Sequence, residues 1–129
     1  MQMKGIGHIG INTGDFKKSL HFYEDILGCG KNMLTDWEDN RMTTLKLPDG
    51  GRIELFDYGY RTQRAPKDNS SVGYRHIAFL VEDVPAWEAH LVQNGVEIRM
   101  PATELPEIGT RALLCLDPDG TEVELYEML

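Results

Sequence analysis

This sequence of 129 residues predicts an α+β fold built from two βαβββ modules. Three observations carry the expectation. Two strand-like stretches, Gly7-His8-Ile9-Gly10-Ile11-Asn12 and Tyr74-Arg75-His76-Ile77-Ala78-Phe79-Leu80-Val81, each hold a histidine near their start and are followed by an aspartate suited to cap a helix. The spacing repeats: His8 and His76 differ by 68, as do Asp15 and Asp83. Pro48-Asp49-Gly50-Gly51-Arg52-Ile53-Glu54-Leu55 also matches Pro118-Asp119-Gly120-Thr121-Glu122-Val123-Glu124-Leu125 at an offset of 70, with five identities in eight positions. One such module cannot bury both faces of its own sheet, so two must associate, within the chain or across a dimer.

The first module spans about 4–58. Residues 4–12 alternate, with Ile9 and Ile11 on one side and His8, Gly10 and Asn12 on the other, the pattern of a half-buried strand. Asp15 is a good N-cap, and Phe16, Leu20, Tyr23 and Leu27 recur at helical spacing, which predicts an amphipathic helix over 15–27 that Gly28 ends. Strands are expected at 31–37 and 41–47, joined at Asp39-Asn40, and at 52–58 after the Pro48–Gly51 turn. A polar linker at 59–73 leads to the second module, about 74–127. There, Asp83 caps a helix with Val84, Trp87 and Leu91 on its apolar face and Pro85 in its first turn, where proline is tolerated. Gly95 ends that helix, and strands follow at 96–100, 110–116 and 121–127, with a loop over 101–109.

Composition narrows the function. A formal charge of -8 argues against a nucleic-acid partner, because phosphate binding needs a basic face. No apolar run is long enough to span a membrane and no secretory signal is recognisable. Two cysteines, Cys29 and Cys115, are too few for a disulfide framework, so a reducing cytoplasm is the expected location.

The side-chain period of two sends Ile9, Ile11, Ile53, Leu55, Ile77, Phe79, Val81, Val123 and Leu125 toward the helices. It sends His8, Glu54, His76 and Glu124 the other way. A lone strand histidine is more often a hydrogen-bonded core residue than a ligand, and a strand glutamate is often a solvated charge. Two of each at matched positions favour a shared site, since titratable groups on an inner face are costly unless paired or bound to a cation. One divalent metal held by His8, Glu54, His76 and Glu124 would satisfy all four and leave roughly two of about six positions open. Ni, Zn, Co, Mn and Fe all accept such ligands. Asn12, Met42, Thr44, Phe56, Tyr58, Arg111 and Tyr126 read as same-face neighbours and candidate substrate-binding residues, Arg111 as a carboxylate or phosphate anchor.

The paired modules, the two histidine-bearing strands and the closing Asp117-Pro118-Asp119-Gly120 through Glu124-Leu125 resemble the vicinal oxygen chelate superfamily over essentially the whole chain. That superfamily includes glyoxalase I, methylmalonyl-CoA epimerase, extradiol dioxygenases and the fosfomycin and bleomycin resistance proteins. The resemblance implies a curved mixed sheet around a metal-lined cavity and a homodimer. In the glyoxalase I branch the ligands are His, Glu, His and Glu, which fall on His8, Glu54, His76 and Glu124. The epimerase branch usually has glutamine at the position of Glu54, and the fosfomycin and dioxygenase branches use a single carboxylate. The implied activity is that of a glyoxalase I-type lyase or isomerase acting on a small molecule. The resemblance implies that the metal would polarise two neighbouring oxygens and stabilise an enediolate while Glu124, partnered by Glu54, would move a proton between carbons. The arginine that bacterial glutathione-dependent relatives carry four residues after the first histidine is Asn12 here. Another thiol adduct, an acyl-CoA or a small hydroxy-carbonyl compound are therefore the open substrate classes. Two alternatives remain: an epimerase acting beside a thioester, and a non-catalytic binding protein of the bleomycin-resistance type.

Other signals lead nowhere. Gly5-Ile6-Gly7-His8-Ile9-Gly10 matches a dinucleotide-binding pattern but lies in the first strand instead of at a helix start. His21 and His90 read as surface residues, Ser19, Ser70 and Ser71 lack a nucleophile-elbow context, and both cysteines read as packing residues.

Overall fold

The computed structural model describes residues 1–30, 33–36, 38, 40–59, 70 and 72–129. The chain divides into two compact units, 1–63 and 64–129, and the two repeat one topology. The expected linker at 59–73 lies outside the described residues except for 59, 70, 72 and 73, as do Asp39 of the expected turn and residues 31, 32 and 37 of the expected second strand.

In the first unit, β1 (Ile9–Asn12) leads to α1 (Phe16–Leu20) and then to β2 (Leu34–Asp36), β3 (Arg41–Lys46) and β4 (Arg52–Asp57). The strand order is β1-β4-β3-β2, with β1 and β4 parallel and the other pairs antiparallel. In the second unit, β5 (Ile77–Leu80), α2 (Val84–Gln93), β6 (Ile98–Leu105), β7 (Thr110–Leu116) and β8 (Glu122–Met128) give the order β5-β8-β7-β6, again with one parallel pair, β5 and β8. The expected α+β fold class is thus observed as two four-stranded mixed sheets.

Both first strands are shorter than their alternation suggests. Ile9–Asn12 pairs with Ile53–Phe56, and Ile77–Leu80 pairs with Val123–Tyr126. β4 and β8 begin one residue before those partners, and no strand pairing extends back past Ile9 or Ile77.

The first helix starts as expected: the Asp15 carboxylate accepts from the Lys18 N–H at 3.2 Å. At His21 the winding loosens into a π-helical segment, His21–Ile26, closed by Leu27 N–H donating to Phe22 O at 2.9 Å. The buried face is therefore Ser19, Phe22, Tyr23 and Ile26, while the stripe of Phe16, Leu20 and Leu27 is only half-buried. Buried Ser19 is satisfied by the Thr13 hydroxyl at 2.6 Å.

The loop expected at 101–109 is mostly strand, because β6 continues to Leu105. β6 is an edge strand whose register shifts between Ile98 and Thr103, and an edge with bulges tolerates Pro101, which has no N–H to donate. α2 is capped by the Asp83 carboxylate, which accepts from Ala86 N–H, and by Glu127 of β8, which accepts from Val84 N–H.

Each unit has a core on the helix-bearing side of its sheet. Leu45, Ile53 and Leu55 are fully buried in the first; Val84, Leu91, Leu113, Cys115, Val123 and Leu125 are buried in the second. Leu55→Ala and Leu125→Ala, which alter duplicate positions, should each cost about 2–5 kcal/mol in urea unfolding. A cost near zero at either site would show that its core is not packed as described.

Candidate functional site

β4 and β8 build the site because each alternates a buried apolar residue with a polar one. Burial of Ile53 and Leu55 turns Glu54 to the opposite face; burial of Val123 and Leu125 does the same for Glu124. The parallel neighbour supplies the histidine from two residues before the position paired with the carboxylate. Gly10 pairs with Glu54 and Ala78 with Glu124, so both carboxylates lie beside small residues.

Of the expected quartet, the histidine and the glutamate of each unit meet. His8 Nε2 lies 3.5 Å from Glu54 Oε2, and His76 Nε2 lies 2.6 Å from Glu124 Oε2. The second pair is the more enclosed: the imidazole of His76 is 25% exposed and that of His8 50%. His76 Nδ1 is buried without a hydrogen-bond partner. A buried imidazole nitrogen without a partner costs folding free energy. Among the described residues, no group of three or more His, Cys, Asp or Glu side chains is positioned to hold a metal ion.

The donor atoms of each pair suit a cation. Two ligand atoms about 2.1 Å from one metal lie about 3.0 Å apart at a right angle and about 3.4 Å apart at the tetrahedral angle. The 2.6 Å contact is shorter than that span and the 3.5 Å contact slightly longer, so the side chains of each pair would shift by a few tenths of an ångström to share an ion. One imidazole and one carboxylate per unit are borderline-hard N and O donors of the kind that Ni, Zn, Co, Mn and Fe accept.

Most of the expected substrate-binding residues do share the face of a carboxylate. Thr44 pairs with Glu54, and both Met42 and Asn12 pair with Phe56, one row along. Thr44 Oγ1 donates to Met42 Sδ at 3.4 Å, and Phe56 stacks on Tyr58 with ring centroids 6.3 Å apart. Tyr126 is the counterpart of Phe56 and pairs with Leu80.

Arg111 does not share that face, and the expectation is corrected. It pairs with Glu127, which alternation places on the side of Val123 and Leu125. Its guanidinium bonds Glu127 at 2.7 Å and also Glu104, while Glu127 caps α2. Arg111 thus ties β6, β7, β8 and α2 together on the helix-bearing side. Positions missed in the sequence include Leu114 and Ala78 flanking Glu124, and Lys46 and Arg52 beside Glu54. Counting back two from Glu54 would have found Arg52.

Nucleophilic chemistry by the chain's own thiols has little support here. Burial pushes the Cys29 thiol up to about 11, and burial together with the nearby Asp117 charge pushes the Cys115 thiol up to about 12, from 9.0. Thiols held protonated are poor nucleophiles. Among the described residues, no helix is long and apolar enough to cross a membrane.

This arrangement, two β1-β4-β3-β2-type sheets each presenting a His–Glu contact on the face away from its helix, defines a glyoxalase-like α+β protein. The chain belongs to the Glyoxalase/Bleomycin resistance protein/Dioxygenase superfamily, whose family model matches residues 5–125. It is 34% identical to the uncharacterized protein YaeR of Escherichia coli over 97% of both chains. It is 28% identical to the metallothiol transferase FosB of Staphylococcus epidermidis, over 96% of this chain and 84% of that one. The structure of the trypanothione-dependent glyoxalase I of Leishmania major superposes with a TM-score of 0.74 at 28% identity, covering 97% of this chain and 87% of that one.

The raised thiols set a pH window. The unfolded chain releases these protons near pH 9.0 while the folded chain keeps them, so their contribution is full below pH 9 and is lost as pH rises toward 11 to 12. Urea midpoints measured from pH 9 upward should fall, and fall less steeply in Cys115→Ala. An unchanged slope in that variant would contradict the burial of this thiol.

Proposed function

We propose that this protein is a metal-dependent lyase or isomerase of the glyoxalase I type, moving a proton between neighbouring carbons of a small hydroxy-carbonyl or thiol-adduct substrate. The observation that carries the reading is the duplicated His–Glu contact, His8 with Glu54 and His76 with Glu124, on matching faces of matching sheets. Membership of the superfamily and the likeness to a glyoxalase I structure support it.

In this reading the four side chains hold one divalent ion, Ni, Zn, Co, Mn or Fe, with the modules drawn from one chain or from the two chains of a homodimer. When bound, such an ion would supply Lewis acidity that makes a substrate C–H beside a carbonyl more acidic. The chain's own residues do the rest. The Glu124 carboxylate takes up the proton from that carbon and returns it to its neighbour, so the base ends as it began and no oxidant or reductant is consumed. Glu54 is its partner. Asn12, Met42, Thr44, Phe56, Tyr58 and Tyr126 form the wall that orients the substrate, and the Phe56–Tyr58 stack offers a flat apolar surface.

A second reading is thiol transfer, favoured by the relative named a metallothiol transferase. Two assays separate the readings: hemithioacetal isomerisation with several thiols, and loss of free thiol to an electrophile. Deuterium wash-in beside an acyl-CoA carbonyl tests the epimerase alternative.

Metal analysis of purified protein should find a stoichiometric divalent ion, and chelation should abolish turnover. Glu124→Gln should lower turnover by about 10²–10⁴-fold while leaving much of the metal bound. Full activity in that variant would refute the role of Glu124. Metal-free protein with undiminished activity would refute the whole reading.

A further inference from the structure

The ligand-bearing face of the first module carries two cations that proton transfer does not use. Lys46 and Arg52 are direct cross-strand partners on β3 and β4. Each lies two residues from a member of the Thr44–Glu54 pair, so both stand on the face of Glu54. His8 and Arg52 immediately precede Ile9 and Ile53, which pair, so Arg52 lies next to His8 along the sheet. On its other side Lys46 is bridged to Gly30, which has no side chain to cover it. Both cations are exposed, and neither has an ion-pair partner among the described residues. The ion contact of Glu54 among the described residues goes to His8.

Like charges directly opposite one another on a sheet are unfavourable, and an anion between them removes the penalty. The duplication sharpens the point. At the offset of 70 the counterparts are Leu116 and Glu122, again direct cross-strand partners. The two modules thus repeat the histidine and the glutamate but differ at the pair beside them, cationic in one and apolar or acidic in the other. A proton moving between adjacent carbons is served by a near-symmetric centre. A substrate with two unlike ends is served by unlike surroundings.

We propose that Lys46 and Arg52 form a subsite for an oxyanion on the substrate, a carboxylate or phosphate close to the reacting oxygens. Arginine supplies a planar fork of donors and lysine a compact charge, which together suit such a group. The proposal rests on the metal-centre reading above and narrows the substrate to a small hydroxy-carbonyl compound or adduct with an acidic end.

Three hydroxamates test it. Acetohydroxamate, succinohydroxamate and phosphonoacetohydroxamate each chelate a cation through two neighbouring oxygens, and only the last two add an oxyanion. Calorimetry on the metal-loaded full chain should show at least one charged probe binding about tenfold or more tighter than acetohydroxamate. Which of the two holds that margin separates carboxylate from phosphate. A variant carrying both Lys46→Ala and Arg52→Ala should lose the margin and still bind acetohydroxamate. Equal affinity for all three probes, or a margin that survives in the double variant, overturns the subsite and leaves the metal reading standing. Failure of every hydroxamate to bind the metal-loaded protein overturns the metal reading and the subsite with it.

Discussion

The register between the first and last strands of each module is the constraint on which the rest depends. β1 lies parallel to β4 with Gly10 opposite Glu54, and β5 lies parallel to β8 with Ala78 opposite Glu124. A slip of one residue would bury both carboxylates and expose Ile53, Leu55, Val123 and Leu125. Burying those four residues therefore fixes the direction of the glutamates as firmly as it fixes the core. The small residues opposite the carboxylates leave space beside them, and the histidines, two residues earlier, reach the carboxylates from the strand ends.

The same alternation separates chemistry from cohesion. The helix-bearing side of the second sheet holds its fully buried apolar residues and the ion network of Arg111, Glu104 and Glu127. The opposite side holds the His–Glu contact, Tyr126, Leu80 and Leu114. An arginine committed to two carboxylates, one of which also caps a helix, has little charge left for a ligand. In the first module the uncommitted cations, Lys46 and Arg52, are on the other side, with His8 and Glu54. The two modules repeat the histidine and the glutamate but differ at the cross-strand pair beside them, Lys46–Arg52 in one and Leu116–Glu122 in the other.

Much of this was legible from residue order. Duplicate spacing announced two modules, and alternation around Glu54 and Glu124 assigned both faces correctly. Aspartates at helix starts located both helices. The face of Arg111 is not legible in β7 alone, because it follows from the cross-strand partner in β8, which is Glu127 and not Glu124 or Tyr126. Ends of strands were misjudged wherever they depend on how far a neighbouring strand extends, as before His8 and His76. Pro101 argued for a loop, but an edge position with bulges lets the strand run through it. The π-helical segment at 21–26 carries no signature in apolar spacing, which continues at ordinary helical intervals while the backbone loosens.

The amino-acid order alone determined the periodicities: which side chains share a face, where helices can start, and that the chain holds one unit twice. These are local properties, set by the two-residue repeat of a strand and the few residues of a cap. Tertiary structure decided what needs a partner from elsewhere in the chain. It set the extent of each strand, the face of Arg111, the contact of His76 with Glu124 and the pairing of Lys46 with Arg52. Such features depend on cross-strand register, and register is settled by the burial of whole faces against a helix, which no short window of sequence contains.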